Sequence, residues 1–270
     1  MATLGKDRPL AAVTGASSGI GYELAREFAR NGYDLVVGAD DAGIHVAAQA
    51  FEAEGANVYP VQVDLRRYED VERFFEQINE RARPLEAIAI NAGVGVFGDF
   101  ARETDLREEI GMIHLNVVST VHLAKLAAVD MVRRGRGKIL ITASVAGTMP
   151  TPLEAVYGAT KAFDLSFAAS LRHELKDTGV SVTAVLPGPT DTEFFDRAGA
   201  ADTKAAEIAE KNDPADVAKQ SYDALMACKD RVYAATSIGT KLQGMASRFI
   251  PESTKANLHE KMAQPGSRGR

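Results

Sequence analysis

The sequence predicts an α/β protein built on a doubly wound, Rossmann-like parallel sheet of about seven strands, with helices on both faces. Short apolar runs rich in β-branched residues alternate with amphipathic helical patterns along the chain. The length of 270 residues, with 46% hydrophobic and 25% charged residues, suits one large globular domain. A glycine-rich turn joins the first predicted strand to the first predicted helix. Together these observations favour a single α/β domain.

The first half of the chain contains four predicted strands, at residues 10–14, 34–38, 57–65 and 85–93. The helix after the first strand has its apolar residues at helical spacing and stops at Gly32. These apolar residues are Leu24, Ala25, Phe28 and Ala29. Further helical patterns cover residues 44–55, 68–81 and roughly 105–134.

The second half continues the alternation, with predicted strands at residues 137–144, 180–188 and 231–235. A long helix is predicted over 155–179, and Asp213 caps another helix that has Pro214 at its first position. The polar, Ala-rich segment 190–212 has the character of a lid over a site. We therefore predict one domain over residues 1–235 and a tail over 236–270.

Charge and cysteine content restrict the class of protein. The net charge of −6 argues against a nucleic-acid binder, although residues 236–270 carry six Lys or Arg and only two Glu. One cysteine, Cys228, permits no disulfide within the chain and fits a reducing compartment. The start lacks the apolar core of a signal peptide, and no uninterrupted apolar run reaches membrane-spanning length. These features predict a cytoplasmic protein.

The turn after the first strand has two interpretations. Gly15, Ser17 and Gly19 spell G-x-S-x-G, the nucleophile elbow of serine hydrolases. With Gly21, they also fit a turn in which glycines let the backbone approach a pyrophosphate at a helix N-terminus. The second interpretation is favoured, because the turn follows the first strand and because His173 and His259 lie in a helical pattern and in the tail. The serine hydrolase remains an unfavoured alternative.

A second group of residues predicts proton transfer. Tyr157 and Lys161 are four residues apart and share one face of the predicted helix, and Ser144 ends the fifth predicted strand. A tyrosine ordinarily has a pKa near 10, and a neighbouring ammonium lowers it. We therefore assign Tyr157 as the acid/base, Lys161 as its electrostatic partner and Ser144 as the anchor of a substrate oxygen.

With these motifs, the chain resembles the classical short-chain dehydrogenases/reductases over residues 8 to about 190. Asn116 matches the fourth catalytic residue of that family, and "INAG" at 90–93 matches its N-N-A-G with Ile90 in place of the first Asn. The resemblance implies that Lys161 also binds the nicotinamide ribose and that Asn116 holds a proton-relay water. Both asparagines also have an alternative, purely structural role: Asn91 would hold neighbouring strands together, and Asn116 would fix a helix distortion. A cofactor site is implied at Gly15, Ser17, Ser18, Gly19, Ile20, Gly21, Asp40, Asp64, Leu65, Asn91, Ala92, Gly93, Tyr157, Lys161, Pro187, Gly188, Thr190 and Thr192.

The end of the second strand bears on the choice of cofactor. Counting from the glycine loop, Ala39 falls where NAD-dependent members carry an acid, and Asp40 falls where NADP-dependent members carry Arg. Two adjacent carboxylates, Asp40 and Asp41, repel a phosphate dianion, and no Lys or Arg lies between residues 31 and 65. We therefore favour NAD(H), with NADP(H) as the alternative and no metal. The structural alternative is that both aspartates cap the next helix.

The candidate substrate walls are apolar and predict a medium-sized apolar carbonyl or alcohol. No Arg or Lys is placed for a carboxylate, although the segment 190–212 could reach in. These walls are Val94 to Phe97, Ala146, Met149, Leu153, Phe194 and Phe195. The tail residues Leu242, Met245, Phe249 and Ile250 follow helical spacing and are expected to pack on the protein rather than on a membrane surface. The resemblance implies a homodimer or homotetramer through the two long helices. The rival functions are a non-catalytic dinucleotide sensor and an epimerase or dehydratase.

Overall fold

The computed structural model describes residues 8–210, 212–234 and 251–269, and a seven-stranded parallel sheet forms its centre. The strands lie in the order β3-β2-β1-β4-β5-β6-β7. Their bounds are β1 Leu10–Thr14, β2 Asp34–Ala39, β3 Val58–Gln62, β4 Leu85–Ile90, β5 Gly137–Thr142, β6 Val180–Pro187 and β7 Arg231–Ala234. The chain winds outward in both directions from β1 and β4, so the strand order reverses between these two strands. Ligands bind at the carboxyl ends of strands at such a point.

Helices cover both faces of this sheet. Their bounds are α1 Gly19–Arg30, α2 Gly43–Ala53, α3 Tyr68–Asn79, α4 Leu106–Ile113, α5 Ser119–Arg134, α6 Ala155–Glu174, α7 Phe194–Arg197, α8 Lys204–Ala209, α9 Pro214–Met226 and α10 Glu252–Ala263. One apolar core contains buried residues of α1, α2 and α9, and the other contains buried residues of α3, α5 and α6. Within β1, Ala11 and Val13 enter the first core, whereas Leu10 and Ala12 enter the second. The doubly wound prediction is therefore confirmed.

The predicted helix over 105–134 is interrupted by one π-helical turn. The turn spans His114–Val118 and separates α4 from α5. Asn116 lies in it, with its side chain bonded to the loop after β4. A π turn inserts an extra residue into the helix, which apolar periodicity does not reveal. The long helix predicted over 105–134 is thus divided at these five residues, and the helix distortion that the sequence left open for Asn116 is present.

The stretch from Leu106 to Arg134 is long and apolar enough to span a bilayer by length and composition. In the structure, α5 packs against β4 and β5 and contributes Leu123 and Met131 to the core. These contacts explain its apolar character as that of a core helix. Ile110 and Val121, however, are exposed, so the apolar surface of this helix pair exceeds what the sheet covers.

Several predicted strands end earlier than the sequence pattern. Residues 63–65, 91–93 and 143–144 follow β3, β4 and β5 as loops. The segment 190–212 contains α7 and α8, and Asp213 caps α9 by accepting a hydrogen bond from the Ala215 N–H (2.8 Å). The predicted apolar tail positions Leu242, Met245, Phe249 and Ile250 lie outside the described residues. The loop residues that follow these strands form part of the walls of the site.

Candidate active site

The carboxyl ends of the central strands open into one cleft of about 1250 Å³. All but one of the predicted site residues line this cleft. The lining members are Gly15, Ser17, Ser18, Gly19, Ile20, Gly21, Asp40, Asp64, Leu65, Asn91, Ala92, Gly93, Ser144, Tyr157, Lys161, Pro187, Gly188, Thr190 and Thr192. Asn116 is the exception, because it is fully buried under the loop that follows β4. The structure thus brings together two motifs that lie more than 120 residues apart in the sequence.

The glycine turn forms a cradle that side chains would fill. Gly15 and Gly19 adopt φ angles of +66° and +58°, which residues with a Cβ rarely adopt. A Cβ on Gly21 would overlap the carbonyl oxygen of Gly15. The Ser18 side chain does not cap α1, so the first N–H groups of this helix remain available for an anion. The pyrophosphate of a dinucleotide fits this cradle.

The two aspartates after β2 have different environments. The Ser17 hydroxyl donates to Asp41 Oδ2 (2.7 Å), and Asp41 Oδ1 accepts from the Gly43 N–H (2.7 Å) at the start of α2. Asp41 therefore takes the capping role that the sequence left open for both residues. Both aspartates line the cleft, and Asp40 differs in that its carboxylate lies 3.7 Å from an arginine, Arg66. Because Ser17 donates to a carboxylate and not to a histidine, it is not arranged as a hydrolase nucleophile.

Arg66 is a cleft residue that the sequence reasoning missed. Its Nη1 lies 3.7 Å from Asp40 Oδ2 and 3.5 Å from Asp64 Oδ2. The stretch between residues 31 and 65 contains no Lys or Arg, and Arg66 is the first basic residue after it, directly following Asp64 and Leu65. A register argument could have found it, because the end of β3 lies beside the end of β2 in the sheet. This end of the cleft therefore contains a cation as well as carboxylates.

Asn91 ties the ends of three strands together. Its backbone N–H donates to Thr14 Oγ1 (3.0 Å), and its side-chain Nδ2 donates to the Thr14 carbonyl (3.2 Å) at the end of β1. Its Oδ1 accepts from Thr142 Oγ1 (3.1 Å) at the end of β5. These bonds give Asn91 the structural role that the sequence left open, and they fix the shape of the cleft floor.

Asn116 holds the loop after β4 to the π turn. Its Nδ2 donates to the Val94 carbonyl (2.9 Å) and to Thr160 Oγ1 (3.1 Å), and its Oδ1 accepts from the Val94 N–H (3.0 Å). Its backbone carbonyl accepts from Thr120 Oγ1 (2.8 Å). Both side-chain N–H donors are thus used within the protein. These contacts make Asn116 a support for the cleft wall next to Gly93.

Ser144, Tyr157 and Lys161 converge at the carboxyl end of β5. The Ser144 hydroxyl accepts from the Ala146 N–H (3.1 Å). Lys161, one helical turn after Tyr157 on α6, donates from Nζ to the Thr142 carbonyl (2.9 Å) and to Asp164 Oδ2 (3.1 Å). All three predicted residues are buried, so a charge on any of them interacts strongly with its neighbours.

The electrostatics of Tyr157 differ from the sequence-based expectation. Burial raises the pKa of the Tyr157 phenol well above its usual value. The carboxylates of Glu154 and Asp164 raise this pKa further, whereas a hydrogen bond with the Ser144 hydroxyl lowers it. The pKa of Tyr157 is therefore raised overall, whereas the sequence predicted a lowered value, and burial is the largest cause of the difference.

The substrate end of the cleft is mostly apolar, as predicted, with two differences. The predicted walls line it except for Leu153. Arg107 and Arg197 also line the cleft, and Arg197, in the segment that the sequence allowed to reach in, forms an ion pair with Glu193 (2.5 Å). Arg197 belongs to α7.

Helix α10 closes one side of the cleft, which the sequence did not predict. Leu258, His259 and Met262 line the cleft, and His259 Nε2 lies 3.0 Å from Glu154 Oε2 just before α6. After α10, the Gly266 N–H donates to Asp202 Oδ2 (2.8 Å). The described part of the tail therefore packs on the protein itself. In the sequence analysis, His259 was set aside only as a catalytic histidine of the hydrolase alternative.

Comparison with known proteins shows the family of this chain. The family model for short chain dehydrogenases matches residues 9–203. Sulfoacetaldehyde reductase 2 of Chromohalobacter salexigens is 33% identical over 184 residues, which cover 67% of this chain and 73% of the relative. A Sphingobium yanoikuyae short-chain dehydrogenase solved with NADPH is similar at TM-score 0.79 and 30% identity, covering 89% of this chain and 93% of that chain.

A third similar protein is the bulky-bulky ketone specific alcohol dehydrogenase of Comamonas testosteroni. Its structure matches at TM-score 0.76 and 26% identity, covering 90% of this chain and 92% of that chain. The family model covers well over half of the chain and includes the glycine cradle and the Ser144, Tyr157 and Lys161 cluster. The chain therefore belongs to the short chain dehydrogenase family and is an NAD(P)-dependent oxidoreductase that acts on CH–OH groups.

Proposed function

We propose that this protein interconverts an apolar ketone and its secondary alcohol, with Tyr157 exchanging the proton at the substrate oxygen. One observation carries the proposal: Tyr157, Ser144 and Lys161 converge in the same cleft as the glycine cradle. When bound there, the nicotinamide cofactor supplies or accepts the hydride. The protein must then provide a proton donor at the reacting oxygen and a dry environment, and the buried Tyr157 suits both needs.

Each residue of the cluster has a separate role in this proposal. Ser144 hydrogen-bonds the substrate oxygen, and Tyr157 gives a proton to that oxygen in reduction or takes it in oxidation. Lys161 stabilises the phenolate and holds the nicotinamide ribose. Asn116 supports the wall beside Gly93 through its bonds to Val94. The first three residues act on the reacting groups, whereas Asn116 acts through the loop.

We infer that NAD(H) is preferred over NADP(H). The support comes from Asp40, which lies in the cleft at the end of β2, and from Asp41 beside it. Together they repel a 2′-phosphate, and Asp40 suits the ribose hydroxyls as a hydrogen-bond acceptor. Arg66 weakens this inference, because it is a cation in the same place, and the similar Sphingobium protein binds NADPH. The Asp40–Arg66 and Asp64–Arg66 pairs favour NAD(H), since they already neutralise this arginine.

The apolar walls favour a medium-sized apolar substrate. Phe194 packs against the Tyr157 ring at a centroid distance of 5.2 Å and against Phe195 at 5.5 Å. Both phenylalanines lie in the segment 190–212, which we propose as the substrate lid. Because Phe194 of this segment already contacts the Tyr157 ring, the segment can close over a substrate that touches Tyr157.

The outer surface of the long helices suits a second copy of this chain. Val121, Val129 and Val132 on α5 and Phe163 on α6 are large apolar side chains exposed to solvent. Contiguous exposed apolar side chains of this kind mark protein interfaces. We therefore propose a homodimer or homotetramer through these helices, located in the cytoplasm, where the single Cys228 stays reduced.

The Tyr157→Phe variant tests the proposed chemistry. We expect it to bind NADH within about twofold of the wild type but to lose at least about a hundredfold in turnover, because general acid–base catalysis contributes roughly 10²–10⁴-fold. Turnover is measured on a series of apolar aryl ketones and their secondary alcohols, and NADH binding by calorimetry. Tyr222→Phe is the matched control, since it removes a buried phenol from α9, outside the cleft.

The possible results separate the functions. Loss of turnover in Tyr157→Phe alone supports the proposal. Substantial turnover in this variant would assign the proton transfer to another residue. A wild-type protein that binds NADH but turns over no member of the series would contradict the apolar substrate.

A further inference from the structure

A buried carboxyl group lies next to Lys161 and has no part in the chemistry described above. Asp164 follows Lys161 by three residues on α6, so the two side chains share one face of the helix. Asp164 Oδ2 accepts from Lys161 Nζ (3.1 Å). Its other oxygen, Oδ1, is buried and has no hydrogen-bond partner among the described residues. Lys161 is the charged group that this carboxyl faces.

The Lys161 ammonium is held from two sides. The Thr142 carbonyl accepts from Nζ at 2.9 Å at the end of β5, and Asp164 accepts at 3.1 Å within α6. A Cβ on Gly93 would come within 3.4 Å of Nζ, so the neighbouring loop also limits its movement. Asp164 therefore fixes the position of the ammonium relative to Tyr157, which lies one helical turn earlier.

The structural cost of Asp164 indicates that it does more than fill space. A buried polar atom without a partner costs about 1–3 kcal/mol, and buried ion pairs are often no more stabilising than apolar residues of similar volume. Burial also raises the pKa of the Asp164 carboxyl, an effect that the Lys161 ammonium opposes. An apolar side chain at this position of α6 would avoid these costs.

We propose that Asp164 is a positioning residue for the Tyr157–Lys161 pair, whose carboxylate fixes the Lys161 ammonium and sets how much of its positive charge reaches the Tyr157 phenol. This inference rests on the roles proposed above for Tyr157 and Lys161. With Asp164 ionised, Lys161 is partly neutralised and the phenol keeps its proton to higher pH. The carboxylate thus sets the pH range in which Tyr157 changes its protonation state.

Two other groups also act on the pKa of Tyr157. Glu154 raises the pKa of Tyr157, but its carboxylate is paired with His259 of α10 (3.0 Å). The Ser144 hydroxyl is uncharged and lowers this pKa. Asp164 differs from both because it acts on the phenol directly and through Lys161. Replacing Asp164 therefore changes the charge of the Lys161 pair and leaves Glu154 and Ser144 in place.

The test compares the pH dependence of alcohol oxidation in the wild type and in Asp164→Asn. Oxidation needs Tyr157 as the base, so kcat rises with pH as the phenol loses its proton. Asparagine keeps the shape and an oxygen acceptor but removes the negative charge. We expect the rising limb to move to lower pH by about one unit, the lower end of the effect of a neighbouring charge. The alcohol is the fastest-reacting secondary alcohol of the apolar series.

A second readout requires no substrate. The ultraviolet absorbance of tyrosinate is followed against pH, with the Tyr157→Phe signal subtracted to isolate Tyr157. Tyrosinate should form at lower pH in Asp164→Asn than in the wild type. Asp34→Asn is the matched control. Like Asp164, Asp34 is a buried carboxyl with cationic partners, here Arg8 and Arg83, but it lies at the amino end of β2, away from the cleft. This control should leave both pH profiles unchanged.

Each result decides the proposal. Asp164→Ser replaces the asparagine variant if that variant does not fold. Coincident pH profiles in the wild type and the folded Asp164 variant would overturn the inference, as would an equal shift in Asp34→Asn. If neither Asp164 variant folds, the carboxyl serves the fold and the inference is also overturned. Substantial turnover in Tyr157→Phe would instead overturn the proposed function, so the two failures are distinguishable.

Discussion

The two ends of the cleft use charge in different ways. At the nucleotide end, Asp40 and Arg66 form an ion pair whose side chains are 50% and 37% exposed. At the chemical end, Lys161 and Asp164 form an ion pair whose side chains are 6% and 1% exposed. Water screens the first pair, and exposed pairs of this kind contribute only about 0–1 kcal/mol. The second pair lies in a low-dielectric interior, where one charge has a large effect on its neighbours.

The difference indicates which substitutions should affect dinucleotide binding and which should affect the protonation of Tyr157. In the proposed function, backbone shape at the nucleotide end decides whether the dinucleotide binds, and charge adjusts which dinucleotide is preferred. At the chemical end, the protonation of Tyr157 responds to each neighbouring charge, including Glu154 and Asp164. Three substitutions test this difference between the two ends, and they are given from the largest expected effect to the smallest.

The largest effect is expected from Gly19→Val, which tests shape at the nucleotide end. Gly19 has φ +58°, and a Cβ there would approach the Thr192 side chain at 3.0 Å. The strain of about 1–3 kcal/mol in this backbone region, added to the blocked approach of a pyrophosphate, should weaken NADH binding by about a hundredfold or more. Calorimetry with NADH measures the loss.

Gly32→Val is the matched control for that change. Gly32 also has a positive φ, +84°, but a Cβ there meets no atom within 4 Å. We expect lower thermal stability with unchanged NADH affinity. Normal NADH binding by Gly19→Val would show that the dinucleotide does not use the cradle. It would contradict the statement that backbone shape decides binding at the nucleotide end.

A smaller effect is expected from Asp40→Arg, which tests charge at the same end. The change replaces a carboxylate by a cation next to Arg66, so NADPH should gain over NADH by roughly tenfold, as expected for one solvent-screened interaction. Calorimetric titrations with both cofactors, before and after the substitution, measure this ratio. The wild type itself should bind NADH more tightly.

The control for Asp40→Arg is Glu52→Arg, which makes the same change in net charge at an exposed position on α2. Its cofactor preference should match the wild type. An unchanged ratio in Asp40→Arg would mean that Asp40 does not face the ribose. Tighter NADPH binding by the wild type would instead make Arg66 the partner of a 2′-phosphate.

The smallest effect is expected from His259→Ala on the rim of the chemical end. His259 pairs with Glu154 and lines the cleft, so its removal loosens α10 and exposes the substrate to water. We expect KM for the apolar alcohol to rise about two- to threefold with NADH affinity unchanged, because this largely buried pair lies on the rim and not at the reacting groups. His173→Ala on the exposed surface of α6 is the control. A changed NADH affinity would place His259 at the nucleotide end.

Much of the fold was predictable, because its pattern is local. The strands of the doubly wound sheet read as short apolar runs, and the apolar residues of α1 recur at helical spacing and are buried as predicted. Apolar periodicity did not reveal the π turn at His114–Val118, although a distortion at Asn116 was one alternative; there Asn116 contacts Val94 of another segment. Strand ends were also too long in prediction, because apolar residues such as Val63 and Leu65 continue into the buried cleft wall.

The site was predictable where its residues form motifs. The glycine turn and the spacing of Tyr157 and Lys161 marked residues that do line one cleft, while their roles stay predictions. Arg66, Asp164 and His259 belong to no motif. Arg66 reaches Asp40 because β3 lies beside β2, and His259 reaches Glu154 because α10 packs over the cleft. The direction of the Tyr157 pKa was predicted wrongly because burial, its largest cause, and the carboxylates of Glu154 and Asp164 could not be judged from the sequence.

The sequence by itself determined the element order, the parallel sheet, the glycine cradle and the pairing of Tyr157 with Lys161. Each of these depends on residues close together in the chain, where backbone periodicity fixes the geometry. Only the tertiary structure decided which charges surround Tyr157, which helix closes the cleft and which arginine meets Asp40. The physical reason is that burial and charge–charge distances depend on segments far apart in the chain, and these two quantities set the pKa of a buried group.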